Sequence, residues 1–65
     1  MRILKLPLVQ SKTGLSRSTI YARLSTGDFP PPIKLGVRSI GWIEADIDEW
    51  ITSRVEATSQ LRSAA

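Results

Sequence analysis

Sixty-five residues suffice for one domain with a small core, and this chain has neither cysteine nor histidine. Disulfide scaffolds are therefore excluded, and the usual zinc ligands and the commonest acid–base side chain near neutral pH are missing. Nine Lys and Arg against six Asp and Glu give a net charge of +3 and a pI near 10.0, a balance that favours a polyanionic partner only if the charges are suitably placed.

Their placement is uneven. Glu44, Asp46, Asp48 and Glu49 fall together, with Asp28 and Glu56 apart from them. The first 43 residues hold Arg2, Lys5, Lys12, Arg17, Arg23, Lys34 and Arg38 against Asp28 alone, a net of +6. Phosphates would be drawn to that part of the chain. Residues 1–7 contain no apolar run of signal-peptide or membrane-span length, so a soluble, cytoplasmic protein without a membrane partner is expected.

In chain order, residues 3–6 read as a short strand or an extended lead-in. Pro7 suits the first turn of a helix, where its missing N–H costs nothing, and Gly14 suits the left-handed residue that ends one; this predicts a helix over about 7–13. Ser16 is an N-cap type, with Leu15 before it and Ile20 beyond it spaced as a hydrophobic staple. Ile20 and Leu24, four apart, give the second helix its buried face, while Ser18, Tyr21, Ala22 and Ser25 point largely away. Gly27 closes it. Two helices joined by a tight glycine turn make a helix-turn-helix.

Phe29 and the three prolines after it predict an extended connection. Residues 33–35 and 40–43 then read as two strands around a turn at 36–39, a hairpin wing. Ile43, Ile47, Trp50, Ile51 and Arg54 follow helical spacing, and the acids at 44–49 load the positive end of that last helix. Beyond Glu56 the amphipathic pattern is lost. The expected organisation is a domain over residues 1–56 and a frayed tail over 57–65. The fold class is α+β: a winged helix-turn-helix with two short helices, a two-stranded wing and a C-terminal helix.

The second helix is the expected recognition helix. Arg17 can pair bidentately with guanine, Ser16, Ser18 and Thr19 can donate to phosphates or bases, and Tyr21 and Arg23 to phosphates. Lys34, Arg38 and Ser39 would clamp the backbone or the minor groove from the wing. Trp42, Trp50 and Phe29 fit a core better than a base-stacking platform. The acidic run is explained by the helix dipole, and nothing beside it supplies a nucleophile, so no enzyme activity, metal or cofactor is expected.

Several fragments, taken in order and spacing, resemble the AlpA family of prophage regulators, small proteins with a MerR-like winged helix. They are Thr-Gly-Leu-Ser-Arg-Ser-Thr-Ile-Tyr over residues 13–21, Gly-Asp-Phe-Pro over 27–30, Lys-Leu-Gly over 34–36, Arg-Ser-Ile-Gly-Trp over 38–42 and Asp-Glu-Trp-Ile over 48–51. The resemblance implies a DNA-binding transcriptional regulator, with an excisionase as a related alternative and a protein-binding adaptor as one of another class. Double-stranded DNA is the implied partner, with RNA polymerase, an integrase or further copies of the chain beside it. Two positions depart from the family's usual pattern: Ala22 stands where Arg is frequent, and Pro31 where Lys is common.

Overall fold

The computed structural model describes the backbone of residues 1–64 and the side chains of residues 1–59. Six elements follow one another: β1 (Ile3–Leu4), α1 (Leu6–Thr13), α2 (Arg17–Thr26), β2 (Ile33–Gly36), β3 (Ser39–Ile43) and α3 (Glu44–Ala64). This is the expected α+β arrangement of a helix-turn-helix, a hairpin and a closing helix.

Local chemistry explains the helix boundaries. Pro7 sits in the first turn of α1, whose end is a left-handed Gly14 (φ 73°) donating its N–H to the Gln10 carbonyl at 2.8 Å. The Ser16 hydroxyl caps α2 by accepting the Thr19 N–H at 3.2 Å, and a left-handed Gly27 (φ 76°) ends it. A side chain at either glycine would meet a steric cost of about 1–2 kcal/mol in that conformation.

The sheet settles what the sequence reading left open. It has three strands in the order β1-β3-β2, all antiparallel, so the expected two-stranded wing of β2 and β3 is present and residues 3–4 join it as a third strand. Ile43, read both as the last residue of the second wing strand and as the first of the helical stripe, belongs to β3, where it pairs with Ile3 as Trp42 does with Leu4. The Glu44 N–H donates to the Arg2 carbonyl at 2.8 Å, and the helix begins at that residue.

Residues 57–64, assigned to the tail, continue α3 as helix. From Thr52 through Ser59 every residue of this helix is exposed.

Leu4, Val9, Ile20, Phe29, Trp42 and Ile47 are buried, one each from β1, α1, α2, the proline connection, β3 and α3. Each contributes about 1.5–3 kcal/mol relative to an exposed side chain. Leu6, Leu15, Leu24, Ile40, Trp50 and Ile51 pack around them. Alternation along the strands places Leu4 and Trp42 on the helix-covered face. Ile33, which pairs with Gly41, and Leu35 lie on the other, and all of β2 is exposed.

The proline connection lacks N–H groups at three successive positions, so strand pairing cannot anchor it. Indoles do so instead. Trp50 Nε1 donates to the Asp28 carbonyl at 3.0 Å, and Trp42 Nε1 to the Pro30 carbonyl at 2.9 Å. Phe29 meets both rings edge-on, with centroids 4.9 Å from Trp50 and 6.4 Å from Trp42. The expectation that these three aromatics form core holds, with Trp50 partly exposed at its rim.

Candidate nucleic-acid interface

The start of α2 gathers hydroxyls. Ser16 Oγ lies 2.9 Å from Thr19 Oγ1 and 3.3 Å from Ser18 Oγ. No acid sits in the first turn, so the positive end of this helix is left open, whereas Glu44 and Asp46 occupy the corresponding end of α3. A helix start in this condition favours an anion. Arg17 stands exposed beside it, its guanidinium 5.6 Å from the ring centroid of Tyr21 one turn on. That stacking limits the arginine to fewer rotamers without neutralising its charge. Tyr21, Ala22 and Ser25 continue the exposed face toward the end of the helix.

Arg23 is placed differently. Its guanidinium pairs with Asp28 and lies 5.7 Å from the Trp50 ring centroid, and its Nε is buried without a hydrogen-bond partner. It ties the end of α2 to the proline connection and α3. Of the expected DNA contacts on this helix, Thr19 and Arg23 are half-buried, and Arg23 alone is held by a carboxylate.

On the wing, Lys34 and Arg38 are exposed, and neither has a carboxylate partner among the described residues. Ser39 is half-buried, and its hydroxyl accepts a hydrogen bond from Lys5 Nζ. Lys5 therefore joins the base of the wing, a position that sequence reasoning missed. The available signal was the Ile-Leu pair before it, which places Lys5 alongside β3 once that pair is read as a strand.

Ion pairing sorts the remaining cations. Arg2 and Lys12 each reach Glu44 at 3.3 Å, and Lys12 also pairs with Asp48. The hydrogen bond to Asp48 is the main reason that the Lys12 ammonium has a pKa above its ordinary 10.5; burial opposes it, and the Glu44 hydrogen bond and both carboxylate charges add to it. With Arg23 held by Asp28, three of the seven cations before residue 44 are matched by acids. The other four, Lys5, Arg17, Lys34 and Arg38, are those at the start of α2 and on the wing and its base. Hydroxyls, arginines and an open helix end can donate to phosphate oxygens and base edges.

Among the described residues, no group of three or more Asp or Glu side chains is placed to hold a metal ion, and no helix is long and apolar enough to cross a membrane.

Comparison with known proteins points the same way. The family described as prophage CP4-57 regulatory protein (AlpA) matches residues 2–55. The chain is 50% identical over 60 residues to the DNA-binding transcriptional activator AlpA of Escherichia coli (strain K12), covering 83% of this chain and 86% of that protein. It is 39% identical over 54 residues to the uncharacterized protein ORF88 of Enterobacteria phage P4, covering 83% of this chain and 61% of that protein. The family and the Escherichia coli relative are described as regulators rather than enzymes. Since the match runs from β1 through the packed part of α3, the chain belongs to the AlpA family of prophage regulatory proteins.

Proposed function

We propose that this chain is a sequence-specific, double-stranded-DNA-binding transcriptional regulator of prophage type. The supporting observation is the charge partition: the cations without acidic partners lie at the start of α2 and on the wing, and those elsewhere in the same stretch are paired. The start of α2 enters the major groove with Arg17 on a base edge. Ser16, Ser18, Thr19 and Tyr21 contact phosphates or bases, and Lys34, Arg38 and Ser39 contact the backbone or minor groove. Arg23 acts from behind this surface by holding α2 against Asp28 and Trp50.

The activity is binding rather than catalysis, and its setting is the cytoplasm. A domain of this size reads only a few base pairs, so neighbouring copies on repeated sites are part of the proposal. So is contact with RNA polymerase at the promoter.

Fluorescence-anisotropy titration of a duplex from the DNA around the gene, against a scrambled duplex and across a salt series, tests the reading. Three phosphate contacts, from Lys5, Lys34 and Arg38, predict a slope of about −3 in log affinity against log salt, with tighter binding to the native duplex. Equal, weak binding to both duplexes would defeat it.

A further inference from the structure

We propose that the groove between the proline connection and α3 is a docking site for a basic segment of another protein, which inserts an arginine or lysine side chain. The groove is shallow and open to solvent, with a volume of about 430 Å³, and is lined by Pro30, Pro31, Asp46, Glu49, Trp50 and Ser53. The last four are spaced i, i+3, i+4 and i+7, one stripe of α3 that faces the proline connection across the groove.

The lining specifies the chemistry of its occupant. Two proline rings give flat apolar walls of the kind that the methylene stem of an arginine or lysine covers, and the Trp50 indole beside them already has the Arg23 and Arg54 guanidiniums each 5.7 Å from its ring centroid, so its edge rather than a free face meets the groove. Asp46 and Glu49 give the charged head its partners. These carboxylates have no cation within ion-pairing distance among the described residues, whereas Glu44, Asp48 and Asp28 are all paired internally. The apolar wall is held in place before any partner arrives: the Trp50 indole donates to the Asp28 carbonyl at 3.0 Å, and Phe29 braces its ring at 4.9 Å. Ser53 spends its hydroxyl on the Trp50 carbonyl at 2.7 Å and adds no competing donor.

Two other occupants fit less well. A phosphate backbone would be repelled by the two carboxylates. A second copy would have to offer one of its own unmatched cations among the described residues, of which Arg17, Lys34 and Arg38 are engaged by DNA on the proposed reading, Lys5 is held by Ser39 and Arg54 lies over the Trp50 ring. What remains is a basic segment of a different protein, one held at the same DNA while the wing stays on the duplex.

The test uses the full chain, labelled with nitrogen-15, and a capped tetra-arginine peptide as probe. Saturable shifts are expected at Asp46, Glu49, Ser53 and the Trp50 indole N–H. Replacing the two carboxylates with amides, Asp46→Asn with Glu49→Gln, should weaken the peptide about threefold or more, from two exposed pairs each worth a small factor. Glu56→Gln, an exposed carboxylate further along the same helix, should leave it unchanged. Both variants are isosteric at exposed positions, and a thermal melt confirms that they fold; Glu49→Gln alone serves if the double variant does not.

Shifts spread evenly over every acid of α3, or unchanged peptide affinity in the double variant, would overturn the proposal. Concentration-dependent sedimentation of the chain alone, abolished by the double variant, would also overturn it by making a second copy the occupant. Because the carboxylates lie off the proposed DNA surface, duplex affinity in the double variant should be no lower than in the parent. The docking site can thus fail while DNA binding stands, and the reverse.

Discussion

Replacing Gly41 with alanine tests how the wing is seated on the rest of the sheet. Gly41 is buried in β3 opposite Ile33. A Cβ there would lie 2.6 Å from Ile3 Cγ2, 3.0 Å from Leu35 Cδ1 and 3.2 Å from the Leu4 carbonyl oxygen. Carbon atoms pack comfortably at about 3.5–4.0 Å, so the first two contacts are clashes. Leu35 Cδ1 is a free end and can swing away. Ile3 Cγ2 sits on a β-branched carbon with restricted rotation, and the Leu4 carbonyl belongs to the backbone of β1. Two effects then compete. Alanine is the better residue in a strand interior by roughly 0.5–1 kcal/mol, but an extra methyl in a filled site costs about 1–3 kcal/mol. With a 2.6 Å contact to a stiff side chain the second wins, for a net loss of about 1 kcal/mol and at most about 2.5 kcal/mol. A chain of this length has only about 3–10 kcal/mol of stability in total, and each kcal/mol moves the midpoint by roughly 4–8 °C. Thermal melts followed by circular dichroism should therefore show a clear drop. Adding Ile3→Ala, which removes Cγ2, should recover part of it. Gly36→Ala, whose nearest contact is Ser39 Cβ at 3.8 Å, should show no such clash. A Gly41→Ala chain melting at or above the parent would refute the close approach of β1 to β3.

Three further perturbations address the interface and the ion pairs. Ser16→Ala removes the α2 cap and should cost about 1 kcal/mol in a denaturant titration; an unchanged midpoint would mean that the Thr19 N–H finds an equivalent partner. Arg17→Ala should cost about 1–3 kcal/mol on the native duplex and much less on a scrambled one; equal losses would make Arg17 a phosphate contact rather than a base reader. The raised pKa of Lys12 gives a stabilisation that is fully present below pH 10.5 and is lost as pH rises through the higher folded-state value. Melts above pH 10.5 should thus fall more steeply in the parent than in Asp48→Asn, and parallel profiles would show that the pair contributes nothing.

How much of this was legible in the sequence depended on the range of the interaction. Gly14, Ser16 and Gly27 announce helix ends because capping and left-handed turns are properties of a few adjacent residues. The wing was legible for the same reason: two apolar runs flank a turn. Ile43 was read both as a strand end and as the head of the helical stripe because it satisfies two periods at once, four before Ile47 on a helix and two after Gly41 on a strand. Only its pairing with Ile3, forty residues earlier, decides between them. β1 itself spans two residues, too short for alternation to show. Arg23 has the spacing of a surface residue on α2, and its engagement depends on Asp28 folding back beyond the Gly27 turn and on Trp50, which is distant in sequence. Local chemistry could identify the cations, but not which of them the fold would neutralise.

That neutralisation gives a modest net charge its direction. The starts of α2 and α3 carry the same kind of dipole and are dressed in opposite ways. At α3, Glu44 and Asp48 complement the positive end and also draw in Arg2 and Lys12, so one set of acids stabilises the helix and joins it to β1 and α1. At α2 there is no acid, only hydroxyls, Arg17 and backbone N–H groups not used within the helix. The field of the domain is therefore polarised: its acids are concentrated on α3, and its unmatched cations lie mainly at α2 and the wing. A surplus of three charges spread evenly would attract DNA in no particular orientation. Sorted in this way, it would turn α2 and the wing toward the duplex on the proposed reading, with the acidic face of α3 left for the proposed basic partner.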